Sequence, residues 1–226
     1  PHHSRHSFPT RRSSDLNDET ANYAPGQHQL ELCAEELELL AEVKARCQKL
    51  VVLLNVATTM EVGPLVEPGG PCEADAILEI GFPGESGLRA VARVLAGEVN
   101  PSGRTCDLWA ADLSATPSFN NFGDHTYTDV TDYYTSIGSG AHFVEYAEGI
   151  YVGYRYYETA AAEATAGNYP GFDYDAAVTF PFGFGLSYTS FKRELLDVTH
   201  EGEDLLTKVR VTNEGQVAGQ IGRAHV

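Results

Sequence analysis

Cys33, Cys47, Cys72 and Cys106 are the chain's thiols, and no two of them form a Cys-x-x-Cys pair. A zinc or redox site of that kind is therefore not written here, and reduced thiols fit the spacing better than a disulfide framework. His28, His125, His142 and His200 are scattered without ligand spacing and read as solvated or core histidines. Gly138–Gly140 lacks the strand-to-helix frame of a phosphate cradle. Asn120, Asn121 and Asp124 in "NNFGD" could bond sugar hydroxyls, although turn formation explains the same residue types. Tyr154, Tyr156 and Tyr157 offer aromatic faces to a sugar. Their alternation within "EGIYVGYRYYE" instead predicts a half-buried strand. No metal and no cofactor is expected from these groups.

A second aromatic stretch, "FPFGFGLSYTSF" (Phe180–Phe191), is broken by Pro181, Gly183 and Gly185. Core strands avoid both residue types. The stretch reads as a hinge at which Gly183 and Gly185 let the backbone turn closely, while the aromatics seal the junction. A sugar-stacking platform is the competing reading.

The elements that would position these groups follow from periodicity. "AEELELLAEVKARC" (Ala34–Cys47) sets Leu37, Leu39, Leu40, Val43 and Cys47 near one helical face. "KLVVLLNV" (Lys49–Val56) and "ADAILEIG" (Ala74–Gly81) are apolar runs expected of strands buried on both faces. "SGLRAVARVLAGEV" (Ser86–Val99) has helical spacing with Ser86 as its cap. Between the two strands, "EVGPLVEPGGP" reads as a connector. "AAAEATAGNYPGFDYDA" reads as a surface insertion. The alternation predicts a layered α/β sandwich, and "FKRELLDVTHEGEDLLTKVRVTNEG" predicts two strands around an acidic turn. Two strands alone leave an unpaired edge.

The ends read differently. Pro1–Leu16 and Ile221–Val226 are similar to translated sequencing-adapter DNA and are expected to be artefact, outside the fold. The formal charge is -17, and setting aside the flanks' four arginines and one aspartate makes the remainder -20. Such a surface repels phosphate backbones, so no nucleic-acid partner is expected. No apolar run approaches a membrane span, so no membrane partner is expected either.

"LVVLLNVATTMEV", "ADAILEIGFPGESGLRAVARVLAGEVNPSGR", "EGIYVGYRYYE" and "FPFGFGLSYTSF", in this order, resemble the C-terminal half of a family 3 glycoside hydrolase, the β-glucosidase-like enzymes. The resemblance covers nearly all of Asn17–Gln220. It implies an α/β sandwich domain at 17–190 and the truncated start of a fibronectin-type-III-like β-sandwich at 191–220. A barrel domain carrying the nucleophilic aspartate would precede this chain. Departures are "GFPGESGLRA" in place of an aromatic with Gln-Gly or paired glycines, and "TCDLW" after "NPSGR".

The implied activity is hydrolysis of terminal β-linked sugars by a cytoplasmic, bacterial enzyme, with a carbohydrate as its partner. Retaining hydrolysis needs two carboxyl groups about 5 Å apart. The family's acid/base Glu lies within Glu-Gly-x-Asp-Arg, onto which Glu19-Thr20-Ala21-Asn22-Tyr23 can be laid. Glu19 is the residue this alignment offers as acid/base, and Asp18 is the alternative if the alignment slips by one. Without the nucleophile the chain alone is expected to be inactive. A non-catalytic sugar-binding or structural α/β module is the alternative. A flavodoxin-like domain would need a Gly-rich cradle that "NVATTMEVG" lacks.

Overall fold

The computed structural model describes residues 30–121 and 143–221. Asp18, Glu19, His28, Asp124, His125, Gly138–Gly140 and His142 lie outside the described residues, as does the expected adapter segment at the N-terminus. The fold is mixed α/β, and its described residues divide into two compact units. One comprises 30–82, 107–121 and 143–182. The other comprises 83–106 and 183–221.

The first unit opens with helix α1, Ala34–Arg46. Its entry is a reciprocal cap in which the Cys33 amide donates to Glu36 Oε2 at 2.9 Å. Strands β1 (Val51–Leu54) and β2 (Ala76–Glu79) follow as predicted and pair in parallel, with Val51 opposite Ala76 and Leu54 opposite Glu79. Burial on both faces does not hold. Leu54 is buried, but Val51 and Leu53 are 47% and 42% exposed. The reason is the pleat: a two-stranded sheet with one covered face buries alternate residues.

Part of the core sits in the expected connector. Short helix α2 (Gly63–Val66) lies there, and Val62 and Leu65 are the most completely buried large side chains among the described residues. With Leu54, Met60, Cys72 and Trp109 they form one cluster, against which Leu37 and Leu40 of α1 pack. Pro64 at the start of α2 explains why a proline-bearing segment can still be helical. A second cluster joins Leu108, Ala110, Tyr157 and Val178. It is tied together by β3 (Trp109–Ala110), antiparallel to β4 (Val178–Phe180).

"EGIYVGYRYYE" is not a strand. After turns over 147–150 the chain enters helix α4, Tyr154–Thr165. Tyr157 and Ala160, one turn apart, are its buried residues. The expected insertion therefore supplies the second half of α4, and then α5 (Tyr174–Ala177), capped by Asp173. The run "TAAAEAT" is rich in helix formers, and its propensity continues the tyrosine face. Gly153 makes the entry possible. Its φ is 56°, and a Cβ there would stand 2.7 Å from Asp107 Oδ1.

In the second unit, helix α3 runs Gly84–Leu95, so Ser86 lies inside it and is not its cap. Gly84, at φ 62°, turns the chain before Ser86 is reached. The predicted two strands are β5 (Phe191–Glu201) and β6 (Asp204–Asn213), an antiparallel hairpin. All four cysteines are free thiols. Among the described residues no helix is long and apolar enough to cross a membrane.

Candidate functional site

The two motifs "NPSGR" and "GFGLSY" meet within the second unit. Asn100 Oδ1 accepts from Ser187 Oγ at 2.9 Å and from the Tyr188 amide at 2.7 Å. Its Nδ2 donates to the Ala218 carbonyl at 3.1 Å. Thr105 works from the other end. Its amide donates to Phe184 O at 2.8 Å, its carbonyl accepts from Gly183 at 2.9 Å, and its hydroxyl accepts from the Phe184 amide at 2.9 Å. Tyr188 donates its hydroxyl to Val94 O, at the end of α3.

The glycines answer to this geometry. Gly183 has φ 75°. A Cβ on Gly185 would stand 2.5 Å from the Gly103 carbonyl oxygen. Close turning at both positions is as expected. The seal is not: Phe182, Phe184 and Tyr188 remain exposed, because the closure is made by backbone bonds and by Asn100 and Thr105. The boundary between the two units falls between Phe182 and Gly183. Nothing in the sequence pattern marks the contacts of Asn100 and Thr105, which join residues 87 and 79 positions apart.

The tyrosines form a second constellation, in the first unit. Tyr154 stacks on Phe182 with ring centroids 4.5 Å apart. Tyr157 is 2% exposed and meets Tyr156 edge-on at 5.0 Å. Burial pushes its phenol up to about 12, helped by nearby Tyr156, Asp112 and Glu61. Among the described residues its hydroxyl has no hydrogen-bond partner. The hydrogen bond with Tyr169, aided by burial, also pushes Tyr156 up to about 12. Tyr174 is pushed up to about 12 by burial and by the bond its hydroxyl donates to Glu158 at 2.6 Å. All three stay protonated at neutral pH. Tyr157 is core, so it presents no face to a sugar.

The remaining candidates separate. Asn121 Nδ2 donates to Glu148 Oε2, so its amide is engaged within the fold. His200 lies exposed on β5. A shallow groove of about 510 Å³ between α4 and α5 is bordered by Phe172, Asp173, Tyr174 and Asp175. Asp173 there caps α5 through the Ala176 amide, and Tyr174 is held by Glu158.

Asp75 is the carboxylate most strongly held. It accepts from Lys49 Nζ at 2.7 Å and the Leu50 amide at 2.8 Å, with Lys44 at 3.6 Å. The Lys49 bond, then the Leu50 amide, lowers it to about 2. A proton donor needs the opposite shift, so Asp75 is a clamp between the start of β2 and the residue before β1. Among the described residues no group of three or more His, Cys, Asp or Glu could hold a metal ion.

Comparison with known proteins places these features. The glycosyl hydrolase family 3 C-terminal domain matches residues 12–154. An exo-alpha-(1->6)-L-arabinopyranosidase of Bifidobacterium breve is 33% identical over 83% of this chain and 20% of its own length. A beta-glucosidase of Ruminococcus albus is 32% identical over 82% of the chain and 16% of its own length. Among solved structures, beta-glucosidase 3B of Thermotoga neapolitana in complex with glucose has a TM-score of 0.63 at 30% identity, covering 87% of this chain and 24% of that one. A beta-glucosidase of Paenibacillus barengoltzii has a TM-score of 0.65 at 31% identity, covering 85% of this chain and 18% of that one. The chain thus spans about a fifth of the length of these relatives. With the matched domain covering more than half of it, the chain belongs to glycosyl hydrolase family 3 and carries that family's C-terminal domain.

Proposed function

We propose that this chain is the C-terminal part of a retaining, exo-acting glycosidase of the β-glucosidase type, acting on terminal β-linked sugars. The observation that carries the reading is the family match over 12–154, with relatives named as glycosidases. A glucose complex of one structural relative supports a carbohydrate partner. Glu19 is the proposed acid/base, with Asp18 as its alternative, and the nucleophile is proposed to lie on the preceding barrel. On this reading the chain alone does not turn over substrate.

We place the α/β domain at 17–190 and the start of the fibronectin-type-III-like module at 191–220. The hairpin that begins at Phe191 supports the second boundary. A cytoplasmic setting fits the four free thiols. Recovery of the parent from outside the cytoplasm on cell fractionation would contradict it.

The test is complementation. In the Ruminococcus albus relative, the matched segment, 16% of its length, is replaced by this chain, and aryl β-glucoside hydrolysis is measured. Activity of the fusion, with neither part active alone, is the expected result. A fusion that folds and binds glucose without hydrolysis would favour the non-catalytic sugar-binding module.

A further inference from the structure

We draw no further inference here: the strongest candidate, the shallow groove between α4 and α5 bordered by Phe172, Asp173, Tyr174 and Asp175, carries nothing, because its aspartates have no second feature beside them that points to a ligand, Asp173 and Tyr174 are already engaged with the Ala176 amide and Glu158, and nothing in the structure shows what covers it.

Discussion

The side-chain oxygen of Asn100 lies 2.7 Å from the backbone nitrogen of Tyr188, eighty-eight residues later in the chain. The same oxygen accepts from Ser187, and the amide nitrogen of Asn100 reaches Ala218. One short polar side chain thus holds two points of a segment whose aromatics are largely exposed and a third point beyond β6. In a segment without a dry core of its own, directed hydrogen bonds fix the path.

Asn100→Ala should destabilise the second unit by about 1–3 kcal/mol, from bonds worth about 0.5–1.5 kcal/mol each. Asn100→Asp keeps both acceptor bonds and replaces the exposed bond to Ala218 with a carboxylate–carbonyl contact that water can screen, so it should cost less. Chemical denaturation of the two variants checks the order. Equal losses would show that the acceptor side is not what matters.

Gly185→Ala should cost about 1–3 kcal/mol, the usual scale of overpacking, because the new methyl would meet the Gly103 carbonyl at 2.5 Å. Gly183→Ala meets no atom but must hold φ at 75°, so its cost is conformational. A Cβ on Gly185 would also stand 2.6 Å from Arg104 Nη1, so in a double variant with Arg104→Ala, which removes that side chain and leaves the Gly103 carbonyl in place, the Gly185→Ala loss should persist. Relief in that variant would assign the clash to something other than the backbone.

Tyr157→Phe should be neutral or stabilising. Its hydroxyl is buried without a partner among the described residues, and such a group costs about 1–3 kcal/mol relative to one that is satisfied. The ring, which carries the packing, is retained. A clear loss of melting temperature would reveal a bond to the hydroxyl.

Asp75 gives a pH dependence with a fixed sign. Its carboxyl is lowered to about 2 in the fold, below the ordinary value of 3.8. Its stabilising effect is therefore complete above the ordinary value and is lost as pH falls through about 2. Asp75→Asn should melt lower than the parent at neutral pH, and the two melting curves should converge as pH approaches 2. Parallel curves across that range would mean the Lys49 and Leu50 contacts are not formed in solution.

The sequence was most readable where one period dominated. α1 and α3 were visible as a helical period, the hairpin as strand alternation around an acidic turn, and β1 and β2 as short continuous apolar runs. Tyr154–Tyr157 misled because a short tyrosine run satisfies strand alternation and one helical turn together. Only the alanines after it and the left-handed Gly153 decide for helix. Val62 and Leu65 were hidden by the proline and glycines around them, which signal a turn although the segment lies in the core. Two-sided burial of Val51 and Leu53 failed because composition reports apolarity and not which face is covered. For the site, the motif residues Asn100 and Ser187 were legible as a pattern, but their contact was not, since it joins segments far apart in sequence.

The most direct measurement is leaving-group dependence in the fusion that supplies the proposed preceding domain. General acid–base help is worth roughly 10²–10⁴-fold, and its loss is felt most by substrates with poor leaving groups. Glu19→Ala should therefore slow hydrolysis of alkyl β-glucosides far more than of dinitrophenyl β-glucoside, and added azide should partly restore the rate. The same pattern in Asp18→Ala, and not in Glu19→Ala, would shift the acid/base by one residue. Full activity in both variants, or turnover by this chain alone, would contradict the proposed division of the two carboxylates between this chain and the domain before it.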